Sequence, residues 1–495
     1  MTAGERILVN ARDPEEIRVA RVVDGKLAGI HWAGSERNSQ VGSIHLGEIR
    51  QVEEGLEAVF VDFAGGRAGF LHGGDIHPAL ASSSATPFEA AGQPVPETEE
   101  GTSFPPVAER IEAGRRVLVQ IQRDSVKGKG ATLTTFLSLP GKLLVLFPSM
   151  GKIALSRRIE GEQARQELID RVRECGLPEG MGAIARTAAA RASVEDLQAD
   201  LEHLLGRWAA IEKGSAQAEG PGLLLPVESP VRIGLRDQWT PTTREVVVDD
   251  PSWEQEARDF LGPDSGEGGC GIRIWEKNTP LFEAEGVEKD YQALFQARVS
   301  IGSGASIVIQ ETEALTAVDV NSGRLDRGSL EETALATNLL AAEELARQIR
   351  LRDLGGILVV DFIDQRMAEN RSRVEEAFSQ ALRGDRSRLK MGRLTSFGLL
   401  PMTRRRKGTG MAQARDWNCK ECGGGGNTSH VRAGALRVIR RLRAESSKTW
   451  KVRLQPAVAG HLEQEFPGIW KGEGQGVQWQ SDPQVPAGEP VMEEL

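Results

Sequence analysis

Two aspartates sit within apolar stretches of the chain. Asp319 lies in Thr316-Ala-Val-Asp-Val-Asn-Ser-Gly323, and Asp361 lies in Ile357-Leu-Val-Val-Asp-Phe-Ile-Asp364. Short apolar runs of this kind are typical of buried β-strands, and the residues between them have helical spacing. The region therefore predicts a βαβ unit in which each strand carries a carboxylate. Because two such carboxylates could share one metal ion, the pattern indicates phosphodiester chemistry.

A right-handed crossover would place the two strands parallel and close together. Neighbouring strands lie about 4.8 Å apart, and ligands of open α/β sheets favour the carboxyl ends of the strands. Mg²⁺ prefers oxygen ligands and uses one or two carboxylates together with water or phosphate oxygens. Asn321 follows Asp319 by two residues, so its amide could orient the attacking water or a phosphate oxygen. Alternatively, the two aspartates could cap helices or pair with arginines.

The segment that connects the two strands has the clearest helical pattern in the chain. Between Ser329 and Leu351, apolar residues recur at the spacing of one helix face. Gly355 and Gly356 then precede the second apolar stretch. A helix over 329–351 would carry the chain from the strand of Asp319 to the strand of Asp361.

Length and charge limit the possible classes of protein. The chain has 495 residues, which suggests about three or four domains. A net charge of −10 argues against nonspecific nucleic-acid binding by the whole surface. Between Arg386 and Lys407, however, every charged side chain is basic. This run is either a solvated basic face or a cationic rim that suits a polyanionic substrate beside the metal site.

The sequence indicates a cytoplasmic protein. It shows no signal peptide at its N-terminus and no apolar run near the length of about 18 residues that a membrane span requires. Its four cysteines are too few for a disulfide framework in a chain of this length. A reducing compartment fits this cysteine content best.

The N-terminal half has the pattern of small β-structures. Residues 6–30 alternate between apolar and polar, as expected for a small antiparallel sheet. Further short strands are predicted between residues 41 and 72 and again after residue 116, and these two groups could form one barrel. The segment between them, residues 79–107, is rich in Ser, Pro, Ala and Glu, and we expect it to be a disordered insertion.

One cysteine pair has the spacing of a metal site. Cys419 and Cys422 supply two thiolates, whereas structural zinc requires four ligands in a tetrahedron. His430 is a conceivable third ligand, and a symmetric dimer that shares one ion would complete the count. A redox-active pair is the alternative. Such pairs usually begin a helix, which the glycine run 423–426 opposes.

Several long motifs of this chain closely resemble the ribonuclease E/G family. The resemblance covers most of residues 1 to about 430. It rests on Thr316–Gly323, Glu331-Glu-Thr333 with Asn338-Leu339, Arg350-Leu-Arg-Asp-Leu-Gly-Gly356, Val360-Asp-Phe-Ile-Asp364, Gly398-Leu-Leu-Pro-Met-Thr403, Phe60-Val-Asp-Phe63, Gly69-Phe-Leu71, Lys129-Gly-Ala-Thr-Leu-Thr-Thr-Phe136 and Ser156-Arg-Arg158.

The resemblance implies a multidomain α/β and β fold with an OB-type S1 barrel inside an RNase H-like element. The implied order is a first RNase H-like segment (1–34), S1 domain (35–135), 5′-sensor domain (136–231), a second RNase H-like segment (232–295), DNase I-like α/β catalytic domain (296–412), zinc link (413–427), small domain (428–471) and disordered tail (472–495). The chain looks more like the compact G type of the family than the E type, because it shows no long Arg/Pro-rich extension. The chain departs from the family at Lys420, where a proline is usual.

The resemblance also implies roles for individual residues. Asp319 and Asp361 would be the Mg²⁺ ligands, supported by Asn321. The zinc link would join two chains into a homodimer, or into part of a homotetramer, through a structural Zn²⁺ shared by Cys419 and Cys422 of each chain. The remaining assignments are RNA contacts for Phe60, Phe70 and Lys129, and a 5′-monophosphate site for Arg186 and Thr187.

The leading hypothesis is an Mg²⁺-dependent endoribonuclease that hydrolyses single-stranded RNA in RNA processing and decay and favours 5′-monophosphorylated ends. A non-catalytic S1-type RNA-binding protein with a decayed active site is the second hypothesis. A metal-dependent DNA phosphodiesterase is the third. Cleavage assays on matched RNA and DNA oligomers, with and without EDTA, would separate the three.

Overall fold

The computed structural model describes residues 4–34, 39–63, 66, 68–81, 86–94, 106–125, 130–262, 269–324, 328–383, 385–405, 431–444, 448–471, 476–485 and 490–495. The chain divides into two compact units, Met1–Gly410 and Met411–Leu495. Within the described ranges, each helix is either too short or too polar to cross a membrane.

The first unit contains strands and helices in alternating groups. Its strands are β1 Glu5–Asn10, β2 Glu16–Val23, β3 Lys26–Gly34, β4 Ile44–Glu53, β5 Ala58–Asp62, β6 Ala68–His72, β7 Arg116–Arg123, β8 Ala131–Thr134, β9 Leu139–Pro140, β10 Leu144–Phe147, β11 Ile153–Leu155, β12 Gly182–Ala185, β13 Gly222–Leu225, β14 Thr243–Val248, β15 Gly271–Ile274, β16 Arg298–Gly302, β17 Ala305–Glu311, β18 Thr316–Asn321, β19 Gly356–Asp361, β20 Leu389–Met391 and β21 Leu399–Arg404. Its helices are α1 Pro87–Gly92, α2 Val107–Arg110, α3 Glu162–Glu174, α4 Val194–Gln217, α5 Pro230–Gln238, α6 Glu254–Leu261, α7 Leu281–Ala284, α8 Glu288–Ala293, α9 Leu330–Leu351 and α10 Ala368–Leu382.

The first sheet joins the N-terminus to a distant region of the chain. Its strand order is β15-β14-β1-β2-β3, and β1 pairs with β14 in parallel and with β2 in antiparallel orientation. Asp249, which follows β14, accepts hydrogen bonds from Asn10 Nδ2 at 2.6 Å and from the Ala11 amide at 2.7 Å. The predicted small antiparallel sheet over residues 6–30 therefore supplies three of the five strands of a larger, mixed sheet.

The second sheet closes into a small barrel. The order β4-β5-β6-β8-β7 returns on itself because β4 also pairs with β7, and β13 adds to the outer side of β4. The interior is filled by side chains such as Val59, Val61, Leu71, Val119 and Leu133. The mixed α/β fold with one small barrel is confirmed.

The prediction of disorder from 79 to 107 is wrong for a portion of that segment. Helix α1 lies within it and begins with a capping box between Thr86 and Glu89. Its Phe88 ring stacks on Trp208 of α4 with the ring centroids 4.4 Å apart. Ala90 and Ala91 are buried. The helix is stabilised by burial against elements distant in sequence, which local composition does not reveal.

A third, four-stranded sheet with the order β11-β12-β10-β9 packs against α3 and α4. Helix α4 has an apolar face, and its residues Leu197, Leu201, Leu204 and Trp208 are all buried. Ser193 caps this helix and forms a capping box with Asp196.

The fourth sheet of the first unit carries the two aspartates. Its order is β16-β17-β18-β19-β21-β20, and β18 and β19 are its only parallel pair within the described ranges. Along β18, Thr316, Val318 and Val320 are buried, whereas Asp319 is exposed. Helices α9 and α10 pack against each other and share one hydrophobic core with the buried side of the sheet. The aspartates therefore lie on the face of the sheet opposite to that core.

The second unit contains a three-stranded sheet with the order β23-β22-β24. Its elements are α11 Val431–Ala444, β22 Trp450–Leu454, α12 Pro456–Glu465, α13 Pro467–Trp470, β23 Val477–Ser481 and β24 Val491–Glu494. The prediction of a disordered tail over 472–495 is wrong for residues 476–485 and 490–495, since both outer strands of this sheet come from them. Val477, Trp479 and Met492 pack against the core of this unit, so burial offsets the polar composition of the tail.

Candidate active site

Asp319 and Asp361 are brought together by the pairing of two strands. The predicted parallel arrangement is confirmed, and Asp319 is the register partner of Asp361. The neighbouring pair, Val318 and Val360, is buried. Because side chains alternate between the two faces of a sheet, both carboxylates project from the exposed face at the carboxyl ends of their strands.

The surroundings of the two carboxylates are acidic. Partial burial and the negative charges of Asp319 and Asp364 raise the pKa of Asp361. In the portion of the chain that the structure describes, neither Asp319 nor Asp361 forms an ion pair with a lysine, arginine or histidine. Like charges this close favour a cation between them. Two carboxylates with no basic partner are a donor set that fits Mg²⁺.

Asn321 contacts the first carboxylate directly. Its Nδ2 donates a hydrogen bond to Asp319 Oδ2 at 2.7 Å. The two residues are separated by one position on the same strand, so their side chains share a face. Asn321 thereby fixes the orientation of the Asp319 carboxylate.

Two polar residues of α9 hold the segment that follows Asp361, and sequence reasoning assigned neither of them to the site. Asn338 is fully buried; its Nδ2 donates to the Ile363 carbonyl at 2.7 Å, and its Oδ1 accepts from the Ile363 amide at 3.0 Å. Glu331 accepts hydrogen bonds from the Arg366 and Met367 amides at 3.0 and 3.2 Å. A signal existed for Asn338, because a polar residue among buried positions of an otherwise apolar helix face requires a specific partner.

A tight turn lies against Asp361 on its other side. Leu399 of β21 is the cross-strand partner of Asp361, and the Gly398 carbonyl accepts from the Phe362 amide at 3.0 Å. Gly398 has φ = +77°, and a Cβ at this position would lie 2.7 Å from the Phe362 oxygen, 3.0 Å from Asp364 Oδ1 and 3.7 Å from Asp361 Oδ1. Only glycine fits there without strain. The sequence offered no sign that this glycine lies beside the aspartates.

The basic run that begins at Arg386 is divided between structural and exposed positions. Arg404 is buried and pairs with Asp385 at 2.8 Å and with Asp353 at 2.6 Å. Arg386 pairs with Asp237 at 3.1 Å. These two arginines therefore do not belong to a free cationic rim. Lys390 and Arg393 are exposed, and Arg406 and Lys407 lie outside the described residues.

The predicted RNA-contacting phenylalanines form one cluster on the barrel. Phe60 of β5 and Phe70 of β6 are register partners, and their ring centroids are 6.0 Å apart in an edge-to-face arrangement. Both rings are only partly buried, in contrast to the core side chains of the same strands. Lys129, predicted to act with them, lies outside the described residues.

Arg186 and Thr187 lie at the end of β12, and their side chains have different environments. Arg186 Nη1 donates to the carbonyls of Gly141 and Lys142 at 2.9 and 3.1 Å, and Nη2 donates to the Arg236 carbonyl at 3.0 Å. Burial is the main cause that lowers the pKa of Arg186 to about 10. The exposed Thr187 hydroxyl lies 2.9 Å from Ser156 Oγ.

Cys419 and Cys422, the predicted zinc ligands, lie outside the described residues, and so does His430. Within the described ranges, no group of three or more histidine, cysteine, aspartate or glutamate side chains has the geometry to hold a metal ion.

Comparison with known proteins identifies relatives along most of the chain. A sequence model described as the Ribonuclease E/G family matches residues 138–407. The chain is 36% identical over 446 residues to Ribonuclease E of Haemophilus influenzae, an alignment that covers 90% of this chain and 46% of that protein. It is also 36% identical over 450 residues to Ribonuclease E of Escherichia coli, with 90% of this chain and 41% of that protein covered. The chain thus spans less than half the length of these two relatives.

A third relative is matched nearly end to end. Ribonuclease G of Haemophilus influenzae is 31% identical over 456 residues, which cover 91% of this chain and 90% of that protein. Asp319, Asn321 and Asp361 all lie inside the segment that the family model matches.

Proposed function

Because this chain belongs to the ribonuclease E/G family, we propose that it is an endoribonuclease that hydrolyses single-stranded RNA at the site of Asp319 and Asp361. The pairing of these two residues in register on parallel strands is the observation that carries the proposal. The relatives named Ribonuclease E and Ribonuclease G support the reaction class. RNA processing and decay are the processes that such an enzyme would serve.

We further propose that Asp319 and Asp361 hold Mg²⁺. When bound, the ion would supply Lewis-acid polarisation of a phosphoryl oxygen and a more acidic water. Asn321 keeps the Asp319 carboxylate in one orientation through its 2.7 Å hydrogen bond. Asn338 and the turn at Gly398 hold the backbone that follows Asp361, at Ile363 and Phe362 respectively. The chain therefore presents two carboxylates in fixed positions before the substrate arrives.

The proposed reaction is an in-line hydrolysis. The oxygen of a water molecule forms a bond to phosphorus and gives up a proton, the bond between phosphorus and the 3′ oxygen breaks, and the 3′ oxygen takes up a proton. The products carry a 5′-phosphate and a 3′-hydroxyl. Fixed positions of the carboxylates favour this step because alignment of the reacting groups is achieved on binding.

Roles for the other regions of the chain follow from the same family relationship. We propose that the barrel is an S1 domain whose Phe60 and Phe70 rings stack with RNA bases, since stacking on exposed rings is tolerant of sequence. The first sheet would be an RNase H-like element, the third sheet with α3 and α4 a 5′ sensor, and the fourth sheet a DNase I-like catalytic domain. A Zn²⁺ shared by Cys419 and Cys422 of two chains would link protomers. A cytoplasmic location fits the buried thiols of Cys175 and Cys270.

The test is cleavage of a 5′-monophosphorylated oligoribonucleotide by the purified protein. We expect cutting with Mg²⁺, none with EDTA, and recovery when Mg²⁺ is restored. The deoxyribonucleotide of the same sequence should remain intact. Binding of the RNA without cutting in any divalent cation would overturn the proposal in favour of a non-catalytic RNA-binding protein, and equal cutting of DNA would indicate a general phosphodiesterase.

A further inference from the structure

Phe397 is an aromatic side chain on the surface beside the two aspartates. It is 80% exposed, far more than the partly buried Phe60 and Phe70 rings on the barrel. A single exposed apolar residue is common on protein surfaces and requires no explanation by itself. The position and the rigidity of Phe397 distinguish it.

The turn that carries Phe397 is held in one conformation. Thr395 Oγ1 accepts hydrogen bonds from the amides of Phe397 at 3.3 Å and Leu399 at 3.2 Å, and the Thr395 carbonyl accepts from the Gly398 amide at 3.2 Å. A side chain mounted on such a turn loses little backbone freedom when it binds a partner. Phe397 is therefore presented to solvent by an ordered support.

The same turn touches the candidate active site. The residue after Phe397 is Gly398, where a Cβ would lie 3.7 Å from Asp361 Oδ1 and 3.0 Å from Asp364 Oδ1. The next residue, Leu399, is the cross-strand partner of Asp361. Phe397 is therefore the chain neighbour of the glycine that lies beside Asp361 and Asp364.

The negative charge of this surface favours contact with an uncharged part of the substrate. Three carboxylates, those of Asp319, Asp361 and Asp364, repel phosphate groups wherever a cation does not compensate them. A nucleobase carries no charge and offers a π-face to an aromatic ring. We propose that Phe397 is a substrate-binding residue that stacks on the base of the nucleotide adjacent to the scissile phosphate. The inference rests on the proposed endoribonuclease activity.

Stacking at this position would hold the RNA strand over the paired aspartates. It would contribute little to discrimination between bases, because every base has a π-face. Its loss should therefore reduce cleavage at all sequences to a similar extent. The cleavage defect should also appear only when the RNA carries a base at one defined position. A purely structural role of the ring would give the same defect with or without that base.

The experiment compares wild type with Phe397→Ala, Phe397→Leu and Phe397→Trp on an oligoribonucleotide with one cleavage site. A series of the same oligomer carries a single abasic nucleotide at successive positions. Leu223→Ala, which removes a side chain that is 56% exposed on β13, is the matched control. Sedimentation of each variant reports its oligomeric state, and anisotropy in EDTA reports binding of each oligomer without cleavage.

We expect Phe397→Ala to lower kcat/KM on the intact oligomer about five- to hundredfold, Phe397→Trp to retain activity, and Leu223→Ala to match wild type. On the oligomer that is abasic next to the cut, wild type and Phe397→Ala should have equal kcat/KM.

The inference is overturned if Phe397→Ala cuts the intact oligomer at the wild-type rate, or if its defect is the same on every abasic oligomer. A changed oligomeric state with no dependence on the base would assign Phe397 to a contact between copies of the chain instead. Absence of cleavage by wild type is a different result: it overturns the proposed function, and equal binding of all abasic oligomers would then overturn the stacking as well.

Discussion

Asp319 and Asp361 are register partners on adjacent parallel strands, and Asn321 donates to the first of them at 2.7 Å. This arrangement concentrates negative charge on the exposed face of the sheet. Partial burial, together with this charge, raises the pKa of Asp361. A site whose acidic groups lack basic partners within the described ranges is suited to bind a cation rather than to stabilise the fold. Stability and activity should therefore respond in opposite ways when either carboxylate is removed.

Asp319→Asn and Asp361→Asn should each lower the cleavage rate at least about 100-fold, because each removes one oxygen ligand and one charge. Neither should lower the thermal unfolding midpoint, since each relieves repulsion between like charges. Oligomer cleavage and thermal unfolding measure the two effects. Glu343→Gln, which removes an exposed charge from α9, is the control for charge alone. A variant at either aspartate that cuts RNA at the wild-type rate would exclude that residue from the site.

Gly398→Ala should disturb the site without replacing a proposed metal ligand. A Cβ there meets the Phe362 oxygen at 2.7 Å, and φ is +77°, so we expect a loss of about 1–3 kcal/mol in unfolding free energy. Cleavage should also fall, because the turn must move away from Asp361 and Asp364. Gly206→Ala on α4, where a Cβ meets nothing within 4 Å, should instead stabilise the protein by up to about 1 kcal/mol. Urea unfolding of both variants checks this contrast.

Thr187 provides a better test of 5′-end sensing than Arg186. Arg186 ties three backbone carbonyls together, so Arg186→Ala should cost about 2 kcal/mol of stability in addition to any effect on the substrate. Thr187→Val keeps the shape of an exposed side chain and removes its hydroxyl. We expect Thr187→Val to reduce the preference for 5′-monophosphate over 5′-hydroxyl RNA and to leave the rate on 5′-hydroxyl RNA unchanged. An unaltered preference ratio would remove Thr187 from the sensor.

Cys419→Ser and Cys422→Ser should each weaken self-association. Each should also lower the zinc content below the one ion per two chains that we expect for the wild type. Four thiolates complete a tetrahedral site only when two chains contribute. Metal analysis and sedimentation velocity report the two quantities. Cys175→Ala is the control, because Cys175 is a buried residue at the C-terminal end of α3. This variant should keep the wild-type zinc content and self-association. Wild-type zinc content in the serine variants would show that other ligands hold the metal.

The unfolding free energy should fall as the pH falls below about 6.5. Burial lowers the pKa of His45 from 6.5, so the unfolded chain takes up a proton that the folded barrel does not, and stability rises with pH across this range. His45 Nδ1 lies 3.1 Å from the Phe63 carbonyl and donates to it, which fixes the neutral tautomer. Burial also lowers the pKa of His77. His45→Asn should therefore reduce, and not abolish, the slope between pH 7 and 5.5, a slope of at most about 1.4 kcal/mol per pH unit for one proton. An identical slope in urea unfolding of the variant would contradict this assignment.

Local pattern was sufficient for the elements that carry the aspartates. The helical spacing from Ser329 to Leu351 predicts α9, and the structure begins that helix at Leu330 with Ser329 accepting from the Glu332 amide. The two apolar runs correspond to β18 and β19. These predictions succeed because side-chain periodicity and capping depend on residues a few positions apart.

The errors occurred where distant residues provide the stabilisation. Composition predicted disorder for α1 and for the strands at the C-terminus, yet α1 packs on Trp208 and β23 pairs with β22. Similarly, the basic run beginning at Arg386 suggested a rim, and Asp237 and Asp385 instead hold Arg386 and Arg404. Buried contacts of this kind are made with residues far along the chain, which no window of sequence contains.

The order of residues was enough to identify the groups that could perform the chemistry: two carboxylates on apolar strands, an amide two positions on, and a connection long enough to set the strands parallel. Folding in three dimensions established which other residues surround them, through the bonds of Asn338 to Ile363 and of Gly398 to Phe362 and the exposure of Phe397. The two differ because strand and helix periods are set by neighbouring residues, whereas the surroundings of a site are set by packing between segments whose separation along the chain carries no local signal.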